Sequence, residues 1–125
     1  MEHRDTLSEA VIGAAIEVHR EMGPGLLESV YQFCLTHELR SRGLDFLPLE
    51  RVPIAYKGVQ LVDHDLVMDY CFPGRLVVEL KAVEKLMPVH EAQLLTYLKL
   101  CKTRTGLLIN FNVALLKNGI KRMVL

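Results

Sequence analysis

Two charged residues, two positions apart inside an apolar run, hold the densest chemistry in this chain. Glu79 and Lys81 lie within Arg75-Leu76-Val77-Val78-Glu79-Leu80-Lys81-Ala82. The run is mostly β-branched and aliphatic, which favours a buried strand. Along a strand alternate residues share a face, so Glu79 and Lys81 fall beside Val77, while Leu76, Val78 and Leu80 take the other face. A charge in such a strand needs a partner, because burying it alone is costly. Two readings follow. One is a structural ion pair, or an edge strand with one wet face. The other is a Glu-x-Lys site in which Glu79 holds a metal ion and Lys81 works on the nucleophile or on a phosphate.

Other residues could join that site. Asp69 sits in Leu66-Val67-Met68-Asp69-Tyr70-Cys71-Phe72, a second strand, on one face with Val67 and Cys71. Pro73-Gly74 makes the pair of strands a hairpin. A two-residue loop sets Asp69 opposite Val78, on the wrong face; an odd-length loop is expected to pair Asp69 with Val77 and bring Asp69, Glu79 and Lys81 together. Glu28 stands in the first turn of a helix and shares a face with Tyr31 and Leu35. It is either a charge that suits the helix dipole or a carboxylate pointed into the site and positioned by Tyr31. His90, Gln93 and Tyr97 line one side of a later helix, where Gln93 and Tyr97 could hydrogen-bond a ligand or merely edge the helix. Asp63-His64-Asp65 resembles a metal cluster, but adjacent strand residues point to opposite faces, and a polar loop is expected there.

The elements that must position these residues can be read in order. Thr6-Leu7-Ser8-Glu9 has the form of a capping box. Leu7, Val11, Ala14, Val18 and Met22 then recur at helical spacing up to Gly23-Pro24-Gly25, with Glu17 and His19 expected on the solvent side. A second helix is expected from Leu27 to Arg42, ending at Gly43. Phe46 to Tyr56 reads as an edge or bulged strand because of Pro48 and Pro53, and Lys57-Gly58 as a tight turn with Val59–Val62 returning. A third helix fits Pro88 to Cys101, followed by a buried strand over Gly106–Phe111. Asn118-Gly119 between two apolar runs predicts a closing hairpin. A strand–helix–strand portion needs a right-handed crossover. The fold class is therefore α/β: one domain over residues 1–125, with a mixed sheet (antiparallel meander plus crossover) flanked by helices.

Half of the 125 residues are hydrophobic, enough for a single core. No apolar run approaches the roughly 18 residues of a membrane span, and the charged start carries no signal-peptide pattern. The three cysteines, Cys34, Cys71 and Cys101, lack the spacing of a disulfide framework or a zinc site, so a reducing cytoplasm is expected. The net charge is zero, but residues 92–125 hold no Asp or Glu and six cations: Lys99, Lys102, Arg104, Lys117, Lys121 and Arg122. Such a stretch could face phosphates, and the acidic remainder could hold a cation.

Taken in sequence, several stretches resemble one family. Gly25-Leu26-Leu27-Glu28-Ser29-Val30-Tyr31 matches the motif that names the GxxExxY proteins. The likeness runs on through Val52–Gly58, Asp69, Val78-Glu79-Leu80-Lys81-Ala82, His90–Lys99 and Gly106–Asn112. That family is grouped with the PD-(D/E)xK nuclease-like superfamily. The resemblance implies a restriction-endonuclease-like core and a metal-dependent phosphodiesterase acting on DNA or RNA. Carried over by position, Asp69 is the motif aspartate, Glu79 and Lys81 the Glu-x-Lys, Glu28 an extra acidic residue from a helix, and Gln93 with Tyr97 the following helix's polar pair. Met68 stands before Asp69 where the founding nucleases have a proline.

The implied cofactor is Mg²⁺, with Mn²⁺ as a substitute, held by Asp69, Glu79, the Leu80 carbonyl and Glu28. Glu28, Asp69, Glu79, Lys81 and Gln93 are the expected catalytic set, and Tyr31, Tyr97 and Lys99 the expected substrate contacts. The competing expectation is a non-catalytic nucleic-acid- or protein-binding module that retained the fold, and the plainest is an internal ion network. Catalysis needs the acidic residues to converge in an open cleft beside Gln93. A binding module instead needs Lys99, Lys102, Arg104 and Lys121 on one face, and an ion network a closed, fully paired cluster. A neutral chain of this size offers little surface for a duplex, so a homodimer or a partner subunit is expected, with the final hairpin as its contact.

Overall fold

In the computed structural model, which describes residues 5–62 and 65–125, the first helix opens on Asp5. Its Oδ1 accepts the Leu7 N–H at 3.1 Å and its Oδ2 the Ser8 hydroxyl at 2.8 Å. The expected capping box at Thr6 is thus displaced by one residue. An ionised acceptor suits the positive end of a helix better than a hydroxyl does. Helix α1 (Thr6–Met22) buries Leu7, Val11, Ala14 and Val18 as its spacing requires, while Met22 emerges into solvent. His19 corrects the sequence reading: it is buried, with Nε2 2.8 Å from the Val113 carbonyl, because a later loop packs over it. Glu17 stays at the surface, paired with Arg20.

Gly23, at φ 70°, ends α1. Helix α2 (Glu28–Ser41) follows, burying Tyr31, Leu35 and Leu39. Strand β1 (Leu47–Val52) leads to a short ribbon of β2 (Ala55–Tyr56) and β3 (Val59–Gln60), turned at Lys57 and Gly58 as expected, but forming its own two-stranded sheet. The expected Asp63-His64-Asp65 loop lies mostly outside the described residues, since neither Asp63 nor His64 is among them. Strands β4 (Leu66–Phe72) and β5 (Leu76–Lys81) form the hairpin, helix α3 (Pro88–Leu100) crosses over, and β6 (Thr105–Asn110) returns parallel to β5.

The last element differs from expectation. Asn118-Gly119 closes a 3-10 turn (Leu116–Gly119), not a two-residue hairpin, and β7 (Ile120–Val124) pairs antiparallel with β6. A Cβ on Gly119 would run into the Asn110 carbonyl oxygen, so the glycine is there for close backbone approach.

The main sheet has the order β1-β4-β5-β6-β7. Helices α1 and α2 cover one face over Tyr70, Phe72, Leu76, Val78, Leu80, Leu107 and Ile109. Helix α3 covers the other over Cys71, Val77 and Leu108. A Cβ on Gly106 would meet Leu94 at 2.9 Å, which shows how tightly α3 lies on β6. This is a single small α/β domain whose five-strand mixed sheet is flanked by helices, the restriction-endonuclease-like architecture expected.

Candidate active site

The hairpin loop settles which faces meet. Phe72 pairs with Leu76, Cys71 with Val77 and Tyr70 with Val78, so the loop is the three residues Pro73, Gly74 and Arg75. Continued by one step, that register sets Asp69 across from Glu79 rather than from Val77. The shared face is the one anticipated; the partner is one pair further along. Backbone pairing stops there, and side chains replace it. Glu79 Oε1 accepts the Asp69 N–H at 2.8 Å, and Asp69 Oδ2 accepts the Leu80 N–H at 2.7 Å. Each carboxylate thus satisfies a backbone donor of the opposite strand, which a splayed hairpin would otherwise leave orphaned.

On its other side, β4 pairs with β1 at Pro48–Tyr70 and again at Glu50–Met68, passing over Leu49 and Asp69. Leu49 has φ 51°, in the left-handed region unusual for a branched side chain. Both ladders are therefore interrupted at Asp69.

The two carboxyls are poorly hydrated and close to each other: Asp69 is 9% exposed and Glu79 4%. Burial pushes both acids up from the ordinary carboxylate range, Asp69 to about 6 and Glu79 to about 8, and their mutual repulsion contributes to the rise in Glu79. The charge of Glu28 raises both, and that of Lys81 lowers both. Lys81 donates from Nζ to Gln93 Oε1 at 3.2 Å, tying β5 to α3 beside the acids. Tyr97, nearly buried on the same side of α3, is pushed up to about 12 by burial and by the charges of Glu79 and Asp69. Asp69, Glu79, Lys81, Gln93 and Tyr97 therefore converge, with Glu28 half-buried within electrostatic range.

Two expected substrate residues lie elsewhere. Tyr31 is wholly buried and stacked on Phe111, with ring centroids 4.5 Å apart. Its hydroxyl donates to the Gly23 carbonyl at 2.6 Å and accepts the Leu26 N–H at 3.1 Å. It fixes the loop that delivers Glu28 and does not reach solvent, because an aromatic ring at that helix position faces the core. Lys99 is exposed on α3, and a six-residue separation turns it away from the Gln93 face.

Sequence reasoning missed one supporting residue. Asn110, buried at the end of β6 in register with Lys81, donates from Nδ2 to the Val83 carbonyl at 2.9 Å. Its Oδ1 accepts the N–H of Val83 at 3.0 Å and of Asn112 at 3.2 Å. It holds the chain as it leaves Lys81. An Asn closing an otherwise apolar strand was the available signal.

The donors are hard oxygens, suited to a cation such as Mg²⁺. Asp69 Oδ1 and Glu79 Oε2 accept no hydrogen bond among the described residues, yet no buried side-chain oxygen there lacks a partner, so both reach solvent. Two carboxylates with open oxygens and mutual repulsion fit a cation. Glu28 stands further off: among the described residues, no three His, Cys, Asp or Glu side chains form a ready group for a metal.

None of the described helices is long and apolar enough to cross a membrane. No curated protein and no solved structure matches the chain. A family model does match, over residues 5–123, a span that includes both hairpin acids, the lysine and all three helices, and the chain belongs to the PD-(D/E)XK nuclease superfamily.

Proposed function

We propose that this protein is a metal-dependent phosphodiester hydrolase acting on nucleic acid, of the GxxExxY type. One observation carries the reading: Asp69 and Glu79 oppose each other across an opened hairpin, both raised by burial, with Lys81 fixed beside them by Gln93. A buried pair that repels is a poor structural device and a good cation site. Asp69 and Glu79 would hold Mg²⁺ or Mn²⁺ with the Leu80 carbonyl, and Glu28 would complete the shell or orient a water. When bound, the cation supplies a Lewis acid that activates water and offsets charge on the phosphoryl group.

The chain's own groups do the rest. Gln93 occupies one Nζ hydrogen of Lys81. The other two are left to orient the attacking water or to donate to a non-bridging phosphate oxygen, where developing charge is best stabilised. With its Oε1 taken by Lys81, the Gln93 amide nitrogen is free to donate to a second phosphate oxygen. Tyr97, kept protonated by its surroundings, can donate but does not serve as a base.

The test is cleavage of labelled DNA and RNA, single- and double-stranded, with Mg²⁺ or Mn²⁺, beside calorimetric cation binding. Asp69→Asn and Glu79→Gln should each abolish binding at millimolar cation and lower cleavage by at least about a hundredfold. Cation binding that survives both changes would place the site on other residues.

Among the described residues no three His, Cys, Asp or Glu side chains form a ready group for a metal, which favours a second reading, a non-catalytic nucleic-acid- or protein-binding module. It would show as nucleic-acid or protein binding with no cleavage under any cation. The cationic C-terminal third is partly spent internally: Lys121 pairs with Glu91 of α3 at 2.7 Å. A homodimer or partner subunit adding positive surface is part of the proposal, and light scattering over a wide concentration range checks it.

A further inference from the structure

Between α2 and the edge strand β1 runs a groove of about 420 Å³, lined by Gln32, Phe33, Thr36, His37, Arg40 and Leu49. Its volume is in the range of small-ligand sites. Two apolar side chains form its lips and project into solvent: Phe33 is 76% exposed and Leu49 54%. Leu49 is the residue whose left-handed backbone interrupts the β1–β4 ladder opposite Asp69. The floor is polar and held in place. Tyr70 donates to the Gln32 carbonyl at 2.8 Å and meets the Thr36 hydroxyl at 2.9 Å. The Gln32 and His37 side chains make no hydrogen bond among the described residues. At the far end the Arg40 guanidinium lies over the Phe46 ring, 5.7 Å from its centroid, which holds the charge in place.

The groove opens on the α2 face of the sheet, whereas Asp69 and Glu79 share the α3 face with Cys71 and Val77, and the two approach each other at the start of α2. Leu49 falls between the Pro48–Tyr70 and Glu50–Met68 pairs, at the level of Asp69 along the strands. At its near end Ser29 lines the groove, next in sequence to Glu28, whose charge Asp69 and Glu79 both feel. From Glu28 to Arg40 the helix rises roughly 18 Å. An aromatic and an aliphatic lip, beside solvent-facing amide and imidazole groups with a cation beyond, is what an unstacked nucleotide asks for. The base lies between apolar surfaces, its edge meets hydrogen-bonding groups, and a phosphate meets the guanidinium. A paired base inside a duplex could not enter.

We propose that this groove binds an unpaired nucleotide of the substrate strand, so that the substrate is a single strand or a frayed end rather than an intact duplex. The proposal rests on the hydrolase reading for what happens to that strand, but not for the binding itself.

The experiment is fluorescence anisotropy with a labelled 12-nucleotide oligothymidylate and the matching duplex, in EDTA so that nothing is cut. Proteins are the wild type, Phe33→Ala, Phe33→Trp, Arg40→Ala, and Arg20→Ala as a basic control outside the groove. The single strand should bind more tightly than the duplex. Phe33→Ala should weaken it about tenfold, the loss expected for one stacking contact, and Phe33→Trp should restore it. Arg40→Ala should lower the salt slope by about one, and Arg20→Ala should do neither. Because Phe33 is so exposed, its removal leaves the fold intact.

Equal affinity for the duplex, or a change below about twofold in Phe33→Ala, overturns the proposal. Single-strand binding that depends on Phe33 without cleavage under any cation supports the groove and ends the hydrolase reading. Duplex cleavage undiminished in Phe33→Ala does the reverse.

Discussion

Replacing either acid by its amide should make the cation-free protein more stable at alkaline pH, not less. Asn at position 69 can still accept the Leu80 N–H, and Gln at position 79 the Asp69 N–H. What disappears is the repulsion and the desolvated charge. Asp69→Asn and Glu79→Gln should each gain roughly 1–2 kcal/mol at pH 8.5, read as a rise of several degrees in Tm, while cation binding is lost. An internal ion network predicts a loss of stability instead. The Glu-x-Lys pair was legible because two charges in an apolar strand have few explanations. Asp69 was legible as a carboxylate among apolar neighbours, but its partner was not. The register depends on whether Arg75 belongs to the loop, and Pro-Gly alone does not fix a loop's length. Tyr31 was misplaced as a substrate contact because helical periodicity gives a face, not what covers it.

At the scale of elements, Tyr31→Phe should lower stability by about 1 kcal/mol in urea unfolding, since the hydroxyl bridges Gly23 and Leu26. It should also weaken cation binding if Glu28 contributes, because the bridged loop leads straight into that residue. Gly119→Ala should be severe, more than about 2 kcal/mol, because the new methyl meets the Asn110 carbonyl. The same denaturation series reads both. The helices were legible from period and caps to within a residue or so at each end, and the closing hairpin was not. Asn-Gly prefers a two-residue turn when the flanking strands pair with each other, but here β6 is already in place as the partner of β7. A long-range strand pair overrides a local turn preference.

For the whole molecule, the raised acids set a pH dependence of definite sign. In the folded chain Asp69 and Glu79 keep their protons to higher pH than in the unfolded chain. Their contribution to stability is full below the ordinary carboxylate range near 4 and is lost as pH rises toward about 8. Without divalent cation, Tm should therefore fall by several degrees between pH 5 and pH 8.5. Adding millimolar Mg²⁺ should restore it, and by more at the higher pH, because the cation takes the deprotonated pair. Scanning calorimetry across that range, with and without EDTA, checks both signs. A flat profile would mean the acids are compensated within the fold. The sequence had made both the chain's neutrality and its cationic last third plain, but the pairing of those charges came only with the fold: Lys121 is tied to Glu91.

The crossed hydrogen bonds at the top of the hairpin also make the protein its own indicator. The amide protons of Asp69 and Leu80 point at carboxylate oxygens instead of backbone carbonyls. A bond to an ionised acceptor is shorter and stronger than one to a neutral acid. Their resonances should therefore move when the pair ionises and again when a cation arrives. Two backbone nuclei in an ¹⁵N-labelled sample would then report the charge state of the centre without any added probe.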